Sequence, residues 1–340
     1  MSDHDSQLAV LGWDPQYEEK FKQIAGPRDA PARVVADFGA EYLLHDGSAT
    51  LRANARKVDP AVGDWVAFEG GAINGIVERR TVFSRRAAGV ETLEQVLAAN
   101  VDLAFVVAAA TDVNPRRIER YLTIAWQSGA VPIVVLTKAD ITQTPEAMRA
   151  ELESAAGGTT VIVTSSVSGE GIGEVARLLQ PARTGVLLGP SGTGKSTLIN
   201  VILGAAVMRT REVHRSGEGR HMTSHRQLVQ LPAGGMIIDT PGLREAQLWD
   251  GEEALANIFE DVEALALQCR FSDCAHATEP GCAIKSALAD GSLDPGRFKS
   301  YRKLTRELRA VAAKTDARIR IEDRKKWKQI TMAARTRTRP

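Results

Sequence analysis

The stretch GVLLGPSGTGKSTLINVILG, residues 185–204, decides the fold. It contains the pattern G-x-x-x-x-G-K-[ST] between a predicted strand, Gly185–Leu188, and a predicted helix, Ser196–Leu203. Glycines allow the positive φ angles that turn successive backbone N–H groups toward a phosphate. Lys195 would reach the β- and γ-phosphates, and the Ser196 hydroxyl would bind Mg²⁺. The predicted nucleotide-binding residues of this loop are Gly189, Pro190, Ser191, Gly192, Thr193, Gly194, Lys195, Ser196 and Thr197.

The loop lies within residues 87–245, where apolar runs alternate with segments of helical spacing. Short, continuously apolar runs are typical of buried parallel strands. The predicted strands are Leu103–Ala110, Val131–Leu136, Thr160–Thr164, Val186–Leu188 and Gly235–Ile238. The predicted helices are Pro115–Gln127, Pro145–Ala156, Glu170–Leu179 and Lys195–Leu203. The alternation predicts a doubly wound α/β domain.

Two loops in the first half of this domain resemble the loops with which GTPases read guanine. Thr137-Lys138-Ala139-Asp140 fits an Asn/Thr-Lys-x-Asp loop. The Asp140 carboxylate would accept hydrogen bonds from N1–H and the amino group of guanine, a donor pair that adenine lacks. The aliphatic stem of the Lys138 side chain would cover the base. Thr137 stands where Asn is commoner, so one supporting amide interaction is absent and the strength of nucleotide binding is not determined by the motif. Ser165 and Ser166 resemble a loop whose backbone contacts the guanine oxygen.

A fourth loop, Asp239-Thr240-Pro241-Gly242, follows the last predicted strand. Asp239 would hold Mg²⁺ through water, and the Gly242 amide would meet the γ-phosphate. In ordinary GTPases the phosphate loop comes first and the guanine loops come last, whereas here the guanine loops come first. Because each loop still follows its proper strand, a circular permutation of this kind preserves the site.

Ahead of this domain, residues 31–86 contain short β-type runs separated by Gly and Asp-Gly turns. The predicted strands are Arg33–Phe38, Glu41–Leu44, Ala49–Ala53, Trp65–Glu69 and Gly71–Val77. Five strands at this spacing predict a small barrel, for which we choose the OB type that often binds oligonucleotides. An SH3-like barrel or a packing module is the alternative. Trp65 and Phe68 would either stack on bases or fill the barrel core. Residues 1–30 are predicted to be mostly irregular, with a short helix at Pro15–Gln23.

The three cysteines of the chain all lie between residues 269 and 282. Cys269, Cys274, His276 and Cys282 offer three thiolates and one imidazole, which is a ligand set for tetrahedral Zn²⁺. No position is left for water, so one structural zinc ion is expected, with unliganded thiols as the alternative.

The composition excludes several classes of protein. The 340 residues are 44% hydrophobic and 25% charged, unlike a collagen, a disordered chain or a disulfide scaffold. No apolar run approaches the ~18–20 residues of a membrane span, and the acidic N-terminus does not fit a secretion signal. Residues 297–340 hold sixteen Lys and Arg against four Asp and Glu, which suggests either a polyanionic partner or a solvated basic helix.

Taken together, the rotated motif order, the preceding barrel and the Cys₃His set resemble the RsgA/YjeQ family of circularly permuted GTPases, over roughly residues 31–330. The resemblance implies a late-stage assembly factor of the small (30S) ribosomal subunit, whose GTP hydrolysis is stimulated by the subunit and drives release. It implies Mg²⁺ with GTP or GDP, contact with rRNA, a cytoplasmic location and no membrane partner; we expect a monomer. The implied domains are an extension (1–30), an OB barrel (31–86), a permuted GTPase domain (87–245), a helical zinc-binding domain (246–330) and a basic disordered tail (331–340).

The catalytic water needs a positioning group, because Leu243 stands where many GTPases place a water-orienting Gln. Residues 217–224, GEGRHMTS, resemble a family segment in which His221 would position the water and Thr223 would complete the Mg²⁺ shell. Ser224 is a rival ligand, and a surface histidine contacting rRNA is the alternative for His221.

The sequence is also compatible with two other functions. One is a P-loop ATPase or small-molecule kinase, against which Asp140 and the rotated order argue. The other is a GTP-dependent RNA-docking module with little catalysis of its own, which Leu243 favours.

Overall fold

The structure, a computed structural model, describes residues 3–55, 57–86, 94–204, 226–239, 255, 258–272, 274–277 and 279–315. The chain divides into two compact units, Met1–Gln247 and Leu248–Pro340. None of the helices in the described ranges is long and apolar enough to cross a membrane. The predicted basic tail, residues 331–340, lies outside the described residues.

The strands are β1 (Ala30–Asp37), β2 (Tyr42–His45), β3 (Thr50–Ala55), β4 (Trp65–Glu69), β5 (Ala72–Ile76), β6 (Val82–Arg86), β7 (Glu94–Ala99), β8 (Leu103–Ala109), β9 (Val131–Thr137), β10 (Val161–Val163), β11 (Thr184–Leu188), β12 (Arg226–Gln230) and β13 (Met236–Asp239). The helices are α1 (Asp3–Ala9), α2 (Pro15–Ile24), α3 (Pro115–Ser128), α4 (Pro145–Ala155), α5 (Ile172–Leu178), α6 (Lys195–Leu203), α7 (Glu260–Ala266), α8 (Ala283–Asp290) and α9 (Pro295–Thr315).

The second half of the first unit is an α/β domain, as predicted. Strands β10, β9, β8, β11 and β13 lie side by side and run parallel, and β12 pairs antiparallel with β13. Every residue of β8 and β11 is buried, which explains why these strands are apolar in sequence apart from Thr184 at the start of β11. Phe105 and Leu179 belong to the core of this domain, together with Leu198 of α6.

The first half of the first unit is a closed barrel. Strands β1, β2, β3, β5 and β4 follow one another around it, and β4 pairs back with β1. Val34, Leu44, Val66 and Ile73 are among the residues of its core. The five predicted strands are therefore confirmed, each within a few residues of its predicted bounds.

The N-terminal residues are more ordered than predicted. The helix predicted at Pro15–Gln23 is confirmed, but α1 forms as well, so a mostly irregular segment was the wrong expectation. Trp13 contacts Trp65 edge to face at 4.7 Å between ring centroids, and Trp65 is completely buried. Since no part of Trp65 reaches solvent, it fills the core and does not stack on bases.

The barrel and the α/β domain share one hydrogen-bonded sheet. The end of β1 pairs with the start of β12, with Ala36 opposite Gln227 and Asp37 opposite Arg226. An ion pair of 3.4 Å joins Asp37 Oδ2 to Arg226 Nη1. Between the two domains, β6 and β7 form a separate antiparallel ribbon, and the predicted boundary at residue 87 lies between its strands.

The described part of the second unit is helical. Helix α9 carries Phe298, Leu304 and Leu308 on its buried face. The cysteine cluster lies in the segment between α7 and α8.

Candidate functional site

Three predicted loops and Asp239 meet at one edge of the sheet. Strands β9, β10, β11 and β13 run in the same direction, so the segments that follow them emerge at the same edge. These segments carry the TKAD, SSVSG, phosphate-loop and Asp239 motifs. Motifs spread over about a hundred residues of chain are therefore brought together, as ligand sites at the carboxyl ends of parallel strands are.

The phosphate loop connects β11 to α6. Gly189, Gly192 and Gly194 have φ angles of +140°, +84° and +89°, which residues with side chains rarely adopt. A Cβ on Gly189 would lie 2.5 Å from the carbonyl oxygen of Val107, so only glycine fits there. A Cβ on Gly192 would meet nothing within 4 Å, so the loop is open on that side. The loop thus has the backbone of a phosphate cradle at the N-terminus of a helix.

Lys195 begins α6 and folds over this loop. Its Nζ donates to the carbonyl oxygens of Gly189, at 2.8 Å, and Pro190, at 2.5 Å. The ammonium group therefore lies against the loop that would bind a phosphate. Of the other predicted residues here, Ser191 and Thr197 are exposed, Ser196 is half-buried and Thr193 is buried.

The two loops predicted to read guanine are joined by a hydrogen bond. Ser165 Oγ donates to Asp140 Oδ1 at 2.6 Å and accepts from the backbone N–H groups of Val167 and Ser168. Ser165 is fully buried, and Ser166 beside it is half-buried. The carboxylate of Asp140 is thus held in a fixed orientation by the neighbouring strand's loop.

The first guanine-reading loop also contacts the phosphate loop directly. Thr137 Oγ1 lies 2.5 Å from the carbonyl oxygen of Thr193, and Lys138 Nζ donates to the carbonyl oxygen of Gly192 at 2.8 Å. Lys138 has a φ angle of +60°. This conformation is energetically unfavourable for any residue other than glycine. Thr137 and Lys138 therefore lie against the phosphate loop, so a single nucleotide would touch both loops.

Asp239 is the last residue of β13 and pairs with Gln227 of β12. It is half-buried at the same sheet edge as the phosphate loop. His221, Thr223, Gly242 and Leu243 lie outside the described residues, so their predicted roles stay predictions.

In the second unit, Cys269, Cys274, His276 and Cys282 place their ligand atoms within 4.8 Å of one another. His276 Nδ1 lies 3.6 Å from Cys269 Sγ and 3.5 Å from Cys282 Sγ, and these two sulfurs are 3.9 Å apart. Tetrahedral bonding at Zn–S ≈ 2.3 Å would separate two sulfurs by about 3.8 Å, whereas a disulfide would bring them to ~2.05 Å. The four residues therefore fit a tetrahedral metal ion such as zinc and not a disulfide.

One residue of this site went unnoticed in the sequence. The Glu279 carboxylate accepts from the backbone N–H groups of Ala275, at 3.1 Å, and Ala277, at 2.8 Å. These two residues flank His276, whose φ of +57° is unusual for a residue with a side chain. Burial also lowers the pKa of His276, which favours the neutral imidazole that metals bind. The only signal for Glu279 was an acidic residue three positions after the histidine.

The fold and the first site define the class of this protein: a P-loop GTPase in which β9 and β10, the strands that precede the predicted guanine loops, come before the phosphate-loop strand β11. The sequence profile described as RsgA GTPase matches residues 76–249. The curated relatives include the "Small ribosomal subunit biogenesis GTPase RsgA" of Syntrophotalea carbinolica, 45% identical over 95% of each chain, and that of Opitutus terrae, 42% identical over 98% of each. The chain belongs to the RsgA GTPase family.

Two solved structures share the fold. YjeQ from Thermotoga maritima is 24% identical, with a TM-score of 0.62 over 82% of this chain and 98% of that one. YloQ, described as a circularly permuted GTPase, is 22% identical, with a TM-score of 0.58 over 84% of this chain and 96% of that one. These two structures confirm the predicted fold class. The matching profile and the curated relatives confirm the family resemblance and the assignment as a GTP-hydrolysing enzyme.

Proposed function

We propose that this chain is a GTP hydrolase acting as a late-stage assembly factor of the small ribosomal subunit, with hydrolysis stimulated by the subunit and coupled to release. The names of relatives 40–45% identical over nearly the whole chain support the place of action. The observation that carries the chemistry is the contact of Thr137 and Lys138 with the phosphate loop, because it makes one continuous surface for a base and its phosphates.

In this proposal each residue has a separate task. Asp140, oriented by Ser165, accepts two hydrogen bonds from guanine, and the Lys138 stem lies against the base. The amides of the phosphate loop hold the β-phosphate, and Lys195 exchanges its two carbonyl acceptors for phosphate oxygens. A carbonyl is a weaker partner for an ammonium group than a phosphate is, so the exchange is favourable.

Ser196, Thr223 and Asp239 would hold Mg²⁺, directly or through water, and the ion would supply positive charge against the β- and γ-oxygens. A hydroxyl at the start of α6 and a carboxylate ending β13 are the oxygen donors that this ion prefers. His221 would orient the water that attacks the γ-phosphate, with an rRNA group as the alternative.

The remaining parts would supply partner contacts. The barrel and the second unit would bind rRNA, helped by the basic C-terminal residues. One zinc ion held by the Cys₃His cluster would stabilise the second unit without taking part in the reaction. The protein would act in the cytoplasm as a monomer.

The test is GTP turnover with and without purified small ribosomal subunits. We expect slow turnover by the chain alone and an increase of at least tenfold with subunits. His221→Ala should abolish the increase while GDP binding is unchanged. Glu153→Gln, in an exposed pair with Arg149 on α4, is not expected to change the stimulated rate by more than about twofold.

An absence of stimulation with intact GTP binding would favour the GTP-dependent RNA-docking module, which Leu243 supports. Equal competition by ATP and GTP would contradict the guanine-specific site altogether.

A further inference from the structure

A cavity of about 240 Å³ lies in the first unit, at the edge of the sheet opposite to the phosphate loop. Asp102 and Thr184 line it where β8 and β11 begin, whereas the phosphate loop follows the end of β11. The N-terminal segment and the barrel supply the other walls, which include the aromatic rings of Trp13, Tyr17 and Trp65. The five residues of β11 span roughly 15 Å, so the cavity is separate from the proposed nucleotide site.

Arg33 lines this cavity and carries a buried charge. The residue is only 2% exposed. Its N–H groups donate to uncharged acceptors, which belong to Leu11, Gly63, Asn100, Thr184 and Met236. Asp64 and Asp102 act on it only at longer range, since Asp64 is paired with Arg79 at 2.7 Å and Asp102 accepts from the N–H of Thr184. A buried cation that has hydrogen bonds but no ion pair within the described ranges favours an anion beside it.

The indole of Trp65 adds a donor without an acceptor. Trp65 is completely buried, and its Nε1 has no hydrogen-bond partner among the residues that the structure describes. Trp13, in the same wall, donates its Nε1–H to Glu18 Oε2 at 3.3 Å. Buried donors are normally paired, so the unpaired indole favours a ligand that brings an acceptor oxygen.

Arg183 is the exposed cation of the lining. Its Nη1 donates to the carbonyl oxygen of Leu178 at 3.4 Å, which is a long contact. A guanidinium has five N–H groups, so Arg183 can bind an anion that enters from solvent. Three arginines and two aspartates line the cavity, and the walls therefore carry a net positive charge.

We propose that this cavity binds a small oxyanion, a carboxylate or phosphate compound smaller than a nucleotide. Its volume is below the ~300 Å³ at which pockets for drug-sized ligands begin, so a nucleotide does not fit. Arg183 binds the anionic group, the charge of Arg33 attracts it, and the aromatic wall contacts the rest of the ligand. This site goes beyond the proposed function and uses none of the nucleotide-binding residues.

The experiment titrates inorganic phosphate or succinate into the chain loaded with GDP and Mg²⁺, which keeps phosphate out of the phosphate loop. Sodium chloride holds the ionic strength constant, because salts also act on proteins generally. Indole N–H signals are followed in ¹H–¹⁵N correlation spectra. Replacing each of the five tryptophans except Trp65 with phenylalanine in turn assigns them.

We expect the Trp65 signal to shift and saturate with a Kd of about 1 mM or lower for at least one probe. The Trp126 signal should stay in place, because Trp126 lies in α3 and does not line the cavity. A response to phosphate alone would identify a phosphate compound as the ligand, and a response to succinate alone a carboxylate.

Arg183→Met removes the exposed cation and should weaken binding of the probe at least about tenfold. The matched control is Arg177→Met, because Arg177 on α5 is also exposed and also donates to a backbone carbonyl, that of Gly173, at 3.3 Å. It should bind the probe within about twofold of the wild type. Both variants change exposed side chains, so both should fold and bind GDP as the wild type does.

Three results would overturn this inference: no saturable shift of Trp65 with either probe, an equal shift of Trp126, or equal losses in Arg183→Met and Arg177→Met. A chain that does not bind GDP would contradict the proposed function instead. The titration would then be run without the nucleotide, and the same three results would decide about the cavity.

Discussion

Asp140 is the residue that distinguishes guanine from other bases in the proposed site. Its carboxylate offers only acceptors, which match the N1–H and 2-amino donors of guanine. Asp140→Asn replaces one acceptor by a donor and so matches xanthine, which has a carbonyl at position 2. We expect GDP affinity to fall at least about 10–100-fold and xanthosine 5′-diphosphate to become the better ligand, measured by competition.

The control for that substitution is Glu153→Gln, which removes a carboxylate from an exposed pair with Arg149 on α4. It should leave both affinities unchanged, since exposed pairs contribute little. If Asp140→Asn kept the preference for GDP, another group would have to read the base.

Arg33 is a buried cation whose hydrogen bonds join several parts of the first unit. It donates to the carbonyl oxygens of Leu11, Gly63 and Asn100 and to Thr184 Oγ1. Burial lowers the pKa of Arg33 to about 10, so the group remains charged at neutral pH. Arg33→Met would leave these buried acceptors without their donor, and we expect unfolding free energy to fall by roughly 3 kcal/mol or more in urea titrations.

Arg28→Met is the comparison, because the Arg28 side chain is 85% exposed. It should change the stability by less than about 0.5 kcal/mol. Similar values for the two variants would contradict the view that Arg33 holds the N-terminal segment, the barrel and the GTPase domain together.

At the level of elements, the turn before β4 depends on Gly63. Its φ is +95°, and a Cβ there would lie 2.1 Å from the carbonyl oxygen of Ala99. Gly63→Ala must therefore displace the backbone of β7, and we expect a loss of several kcal/mol in unfolding free energy.

Gly70 in the β4–β5 turn provides the control. Its φ is +56°, but a Cβ there would meet nothing within 4 Å. Gly70→Ala should lose only about 1 kcal/mol, the cost of the left-handed conformation itself. Equal losses in the two variants would mean that the contact with Ala99 is not what requires glycine.

Elements with strong local signals were predictable, and those that depend on distant partners were not. Strand β8 is continuously apolar, β9 is apolar up to Thr137, and glycines mark the phosphate loop in the sequence itself. Helix α1 is short and polar, and its order depends on packing that the local pattern does not contain. The contact of Thr137 with Thr193 spans 56 residues, so only the fold could reveal that a hydroxyl serves there.

At the level of the whole molecule, the Cys₃His cluster belongs to the second unit and the proposed nucleotide site to the first. Removing the metal with a chelator should therefore increase hydrogen exchange in residues 258–315 while GDP affinity stays within about twofold. Exchange measured by mass spectrometry, with Cys282→Ser as a second way to lose the metal, provides the test. Unchanged exchange after verified metal loss would show that the cluster is not a stabilising site.

The pairing of β1 with β12 also affects whether the edges of the sheet are free to pair with another copy of the chain. An open sheet normally ends in two strands whose free N–H and C=O groups invite pairing with another chain. Here, among the described strands, one end of the long sheet closes into the barrel, and the other end is β10, only three residues long. The barrel thus protects the GTPase sheet from edge-to-edge aggregation. This role is separate from the binding of a partner.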